Sequence, residues 1–335
     1  MEYLQIIIPS MLIMAMAMSS SGILRAAGDA KRSMYATVGG GIANAILDPI
    51  FIFSLGMGIK GAAWASVIAR LVVAFIAFRG IIKFHDLLGR FQLNSLISDL
   101  GSIFKIAIPS ILANVATPFG NAYVVAAVAK FGDSAVAGMS IIGRLTPVAF
   151  GVVFALSGAI GPIIGQNFGA KKMDRVLQTL KDAIIFATAA VAGASLLLYL
   201  LQDVIIAVFH VSGDATVVIS LFSTWIAITF IFNGTLFISN ACFNNLGYAH
   251  YSTVMNFTKA TLGTIPFVYF GANFGGFQGV LIGQALGTIV IGMIAIVMCF
   301  KMVNKCNTGD IPKSGPRKKP FNPKIPLWPQ TNTRG

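Results

Sequence analysis

Apolar stretches of roughly twenty residues recur along the chain, each closed by a short polar or basic connection. They fall at about 3–24, 34–55, 61–82, 105–129, 136–164, 182–202, 217–241, 252–271 and 278–300. A helix needs about 20 apolar residues to cross a bilayer, so the pattern predicts an all-α polytopic membrane protein of about nine transmembrane helices. The connection at 83–104 reads as an amphipathic linker. The segment 301–335, rich in Pro and Lys with a basic block at Arg317–Pro320, reads as a disordered cytoplasmic tail.

The second run carries polar atoms where oil is expected. Within it Asp48 is preceded one turn earlier by Asn44, on the same helix face, and followed by Pro49. A carboxylate at the centre of a membrane helix costs about 2.5–3.5 kcal/mol on insertion scales. Pro49 has no N–H to give the carbonyl of Ala45. A carboxylate, a carboxamide and a freed carbonyl on one turn suit a proton or a small hard cation. The competing reading is a capped kink that locks two helices together. Arg70, nine residues into the next span, stands at a similar depth: it is either a counter-ion for Asp48 or a basic residue packed on another helix end.

Composition agrees with the pattern. Of 335 residues 56% are hydrophobic and only 10% charged, where a soluble domain carries about 25%. A net charge of +13 invites a nucleic-acid reading, but the Lys and Arg residues fall mostly between the apolar runs and in the tail, where they set topology. Arg25, Lys31, Arg32, Arg79, Lys83, Arg90, Lys105, Lys171, Lys172, Arg175 and Lys181 share one side with the basic tail; the other holds only Lys60 and Lys130. The rich side is cytoplasmic by this rule, which puts the N-terminus outside and the C-terminus inside. Cys242, Cys299 and Cys306 have no disulfide or zinc spacing, and His85, His210 and His250 lie outside or at the ends of spans. Neither an enzyme nor a metal site is indicated.

An odd number of spans is explained by an internal repeat. Gly58 and Gly61 recur as Gly276 and Gly279, offset by 218; Gly28, Ala30 and Ser33 recur as Gly247, Ala249 and Ser252, offset by 219. Runs one to three then repeat as runs seven to nine within a six-span unit, and the first unit lacks about three helices. Asn114, Thr117 and Asn121 form a polar stripe on the fourth run, facing either a cavity or another helix. Met11, Met14, Met16 and Met18 are either an adaptable drug-binding wall or lipid-facing filler. Lys259 and Arg144 also lie within spans; in a cavity they would disfavour cationic compounds. Gln166–Gly169 reads as a helix stop, with Gly169 allowing the turn.

Three segments together resemble one family: Leu24-Arg-Ala-Ala-Gly-Asp-Ala-Lys-Arg-Ser-Met34, Leu47-Asp-Pro49 with Asn44, and Gly61-Ala-Ala-Trp-Ala-Ser-Val-Ile-Ala-Arg70. They are similar to the first lobe of multidrug and toxic compound extrusion (MATE) transporters. Ile106-Ala-Ile-Pro109 and Gly165-Gln-Asn-Phe-Gly-Ala-Lys171 resemble hallmarks of the second lobe. The resemblance covers about residues 1–303. It implies a 6+6 helix, two-lobe architecture that exports drugs or other amphipathic or cationic organic compounds against an H⁺ or Na⁺ gradient. On it, 1–82 are the last three helices of the first lobe, 105–300 the complete second lobe and Asn44, Asp48, Ser66 and Tyr3 the cation-coupling set. Asn114, Thr117 and Asn121 would then face the substrate cavity. The implied partners are the lipid bilayer and small organic molecules, with no nucleic acid and no cofactor beyond the coupling ion, for a monomer in a bacterial inner membrane. The family's other first-lobe aspartate lies on a first helix for which this sequence shows no counterpart. A truncated, non-transporting protein and a lipid-linked saccharide flippase are the alternatives.

Overall fold

The computed structural model of the chain describes residues 2–85 and 93–307. The expectations for Arg90, the Arg317–Pro320 block and the rest of the tail from 308 onward lie outside the described residues. Within them every regular element is helical: α1 (Glu2–Ile7), α2 (Met11–Ala26), α3 (Ala30–Pro49) and α4 (Gly58–His85), then α5 (Leu93–Ala129), α6 (Asp133–Ala149), α7 (Gly151–Gly169) and α8 (Met173–Leu200). The chain continues through the short α9 (Gln202–Phe209) and α10 (Asp214–Leu221) to α11 (Phe230–Asn245), α12 (Ala249–Ala260) and α13 (Ile265–Asn307). Among the described residues seven stretches are long and apolar enough to cross a membrane, and the last of them, Ala249–Asn307, is 59 residues long. That stretch holds two passes, because α13 folds back at Gly275 and Gly276, the latter at φ +56°. The protein is an all-α, multi-pass membrane protein.

Prolines and glycines break the apolar runs in ways their chemistry explains. Pro9 interrupts the first run, so Met11 N–H bonds to Ile8 O (3.1 Å) and the Ile7 carbonyl is left for Ser10 Oγ (2.8 Å). The fifth run, expected to be one span, is two helices. Pro147 cannot donate to Gly143, and α6 and α7 meet at the buried Phe150, whose ring stacks on Phe230 at 4.2 Å. In the α13 hairpin, Gly279, Gly283 and Gly287 face the backbone of Gly271, Phe267 and Gly263 so closely that no Cβ would fit. Small residues of this kind are how helices attract one another in lipid, where burying apolar surface gives no advantage.

Three helix ends share one hydrogen-bond pattern. After α2, α7 and α11, the N–H groups of Asp29, Lys172 and Tyr248 reach back five residues, to Leu24, Asn167 and Phe243, at 2.8–2.9 Å. The residue before each takes a left-handed conformation: Gly28, Lys171 and Gly247. At the α7 end the turn is therefore made by Lys171, not by Gly169, which is the last helical residue. Asp29 then caps α3 by accepting the Arg32 N–H (3.1 Å). Its carboxylate also pairs with the Arg32 guanidinium and with His85 Nε2 (2.7 Å) at the far end of α4. Burial pushes the Asp29 carboxyl up, but the bonds from His85 and Arg32 outweigh it and hold the group down at about 2.

The helices pack as two bundles. In the first, α4 lies against α1, α2 and α3, around Leu24, Ala36, Ala77 and Ile81. In the second, α11 is central, touching α7, α8, α12 and α13, while α5 packs on α12 and α13. The bundles meet where the end of α2 approaches α7, and Gln166 Nε2 donates to the Ala26 carbonyl across the seam (3.5 Å).

Candidate functional site

The carboxylate in the first bundle sits beside a break in its helix. Asn44 Nδ2 donates to Asp48 Oδ1 at 3.4 Å, and both side chains are half-buried. Pro49 ends α3, and the chain continues as a wider π turn over Ile50–Ser54, with Leu55 N–H reaching Ile50 O (2.9 Å). Such turns leave carbonyls off the regular ladder and cluster at functional sites. Gly40 lies against Val73 of α4 and Gly61 against Phe51. That antiparallel register brings Ser66 to about the depth of Asp48, yet no hydrogen bond joins Ser66 or Tyr3 to Asp48 among the described residues. Tyr3 is 37% exposed on α1.

Arg70 does not act as counter-ion to Asp48 in this structure. Its Nη1 donates to Ser10 Oγ (2.5 Å) and to the Ile7 carbonyl (3.4 Å). The cation satisfies the carbonyl end of α1 that Pro9 leaves open, which is favourable for a positive charge at a helix C-terminus. Of the alternatives the sequence left open, helix-end packing is the one observed.

Two adjoining openings are lined mainly by the second bundle. Asn114 and Thr117 line a cavity of about 540 Å³ that reaches the α2 residues Gly22 and Arg25. Thr117 and Asn121 line a second, of about 430 Å³, bordered by residues of the second bundle alone among the described residues. Thr117 and Phe237 border both, so the stripe on α5 runs along two adjoining cavities. Part of the Asn114 amide is spent locally, on the Ser110 carbonyl (2.8 Å). Met11, Met14, Met16 and Met18 line neither cavity and are exposed on α2.

Sequence reasoning missed most of the other polar lining. Asn240 and Asn244 stand one turn apart on α11, and Ser252 and Asn256 one turn apart on α12, all facing the larger cavity. The i, i+4 spacing was the available signal. Asn240 is 8% exposed and its Oδ1 has no partner among the described residues. In the smaller cavity Lys259 Nζ donates to Asn233 Oδ1 at 2.5 Å, linking α12 to α11. Its wall includes the irregular stretch between α10 and α11, a π turn at Phe222–Ile226 followed by a 3₁₀ turn at Ala227–Thr229. Among the described residues no group of three or more His, Cys, Asp or Glu side chains converges to hold a metal.

A profile of the family described as MatE matches residues 1–50 and 109–270, more than half of the chain. The chain belongs to the MatE family. A Shewanella oneidensis FAD transporter is 26% identical over 295 residues, 86% of this chain and 65% of the relative. A probable multidrug resistance protein of Bacillus subtilis is 24% identical over 265 residues, 78% of this chain and 59% of the relative. The chain thus spans about two thirds of these MatE relatives or less. A crystal structure of a mutant of the Vibrio cholerae MATE transporter VcmN superposes with a TM-score of 0.83 at 24% identity, covering 90% of this chain and 69% of the other. That likeness places the two bundles in the MATE fold. Family members and structural neighbours are transporters rather than enzymes.

Proposed function

We propose that this chain serves cation-coupled export of amphipathic organic compounds across a bacterial inner membrane, with its C-terminus in the cytoplasm. Residues 1–82 are the closing three helices of a first lobe, 83–104 the linker and 105–300 the second lobe. The observation that carries the reading is the Asn44–Asp48 pair beside the Pro49 break, a carboxylate held in a membrane helix next to a segment that can bend. Protonation of Asp48, or Na⁺ bound by Asp48 and Asn44 with Ser66 and Tyr3 drawn in, removes an unpaired charge and changes the conformation the break prefers. One charge moved through 100 mV supplies about 2.3 kcal/mol, enough to bias a two-state equilibrium about fiftyfold.

The test is the full chain in proteoliposomes, following gradient-driven accumulation of three dansyl probes: anionic dansylglycine, its neutral amide and cationic dansylcadaverine. The expected result is uptake of at least one probe that depends on a H⁺ or Na⁺ gradient and is lost in Asp48→Asn. Gradient-driven uptake that Asp48→Asn leaves unchanged would remove Asp48 from the coupling role, and no gradient-driven uptake of any probe would overturn export by this chain.

A further inference from the structure

The charge lining the two cavities has one sign. Among the described residues, seventeen border the larger cavity and twenty the smaller, and none of these is Asp or Glu. The charged members are Arg25 in the first and Lys259 in the second. We infer that the adjoining cavities form a binding site for an amphipathic organic anion, with Lys259 holding its carboxylate, sulfonate or phosphate group. The inference rests on the reading of the chain as an exporter, and it sets the charge of what is carried.

Lys259 is placed for that task. It lies in the last turn of α12, where the carbonyl end of a helix favours a cation. Its own backbone is pinned, because Thr264 Oγ1 donates to the Lys259 carbonyl at 2.8 Å. An ammonium has three protons to give, and the partner shown for it is the neutral Asn233 amide oxygen. No carboxylate pairs with it among the described residues. A cation in a membrane helix bundle without a counter-charge is costly, so an anion that enters the cavity supplies what the protein does not.

The rest of the wall defines the body of that anion. Phe154, Phe230 and Phe237 form a ring cluster along the smaller cavity, with centroids 5.9 Å apart for Phe154 and Phe230 and 5.2 Å for Phe154 and Phe237. They offer faces and edges to an aromatic or apolar skeleton. Asn121, Thr229 and Gln284 add neutral hydrogen-bonding groups. Towards the first bundle, Arg25 and the Asn240, Asn244 and Asn256 amides line the larger cavity, giving an anion a positive, hydrogen-bonding approach. Among the described residues an organic cation would meet two like charges on this path and no carboxylate.

A purely structural role for Lys259, tying α12 to α11 through Asn233, makes a different prediction and can be separated. The full chain is held in nanodiscs of zwitterionic phosphatidylcholine without any gradient, and fluorescence titration compares dansylglycine with its uncharged amide. Wild type should bind the carboxylate at least tenfold more tightly than the amide. Lys259→Met should abolish that ratio, and Lys259→Arg should retain most of it. Asn233→Asp, which keeps the lysine but hands it a carboxylate, should abolish the ratio as well, and it carries the test if Lys259→Met does not elute as a folded species. Equal affinity for the two probes, binding of neither, or an unchanged ratio in both variants would overturn the inference. Because no gradient is involved, the result is independent of whether Asp48→Asn affects uptake.

Discussion

Lys171 holds a left-handed backbone at φ +58°, in a turn whose two counterparts are made by Gly28 and Gly247, both at φ +87°. A side chain in that region costs about 1–2 kcal/mol, while glycine carries a smaller entropic penalty of about 0.5–1 kcal/mol. Lys171→Gly should therefore stabilise the protein by up to about 1 kcal/mol, read as a higher melting temperature in detergent. The sequence showed a helix stop near here but pointed to Gly169, because glycine is the residue that usually makes the turn. The hydrogen bonds place the turn two residues later, on a lysine. Asp48 and Asn44 were legible for the opposite reason: a carboxylate in an apolar run is conspicuous, and i, i+4 spacing fixes the face. The partner of Arg70 was not legible, since it depends on an orphaned carbonyl created by Pro9 some sixty residues away in sequence.

At the scale of elements, breaks matter more than spans. Apolar length gave the passes, and of the recurring glycines Gly276 lies in the hairpin at Gly275–Gly276, where its positive φ suits glycine, while Gly279 packs on Gly271. The division of the fifth run at Phe150 was not read from the sequence although Pro147 signals it, since both halves are apolar and the seating of the break on Phe230 of α11 is a tertiary contact. The junction of α3 with the end of α4 has a testable electrostatics. The Asp29 carboxyl titrates at about 2, below the ordinary aspartate value of about 3.9. A lowered value means stability that is fully present above about pH 4 and is lost as the pH falls towards 2. The stability gap between wild type and Asp29→Asn should accordingly be constant from neutral pH down to about 4 and shrink below it, measured as unfolding midpoints across that range.

For the whole molecule, the asparagine-lined cavity belongs to neither bundle alone: Arg25 comes from one and Asn240 and Asn256 from the other. That is why single helices read one at a time did not reveal it, whereas the α5 stripe, lying on one helix, was visible. The seam between the bundles is thin at the α2–α7 contact, where the Gln166 amide meets the Ala26 carbonyl. Ala26→Cys with Gln166→Cys, joined by a short thiol-reactive linker, should arrest gradient-driven probe uptake, and cleaving the linker should restore it; Cys242, Cys299 and Cys306 are buried and should not compete. A door whose described latch at this point is one amide should open with little resistance. On the function proposed above, the work of turning the carrier over would then fall on whatever reaches Asp48 and Lys259, and the ion and the cargo between them would set the timing.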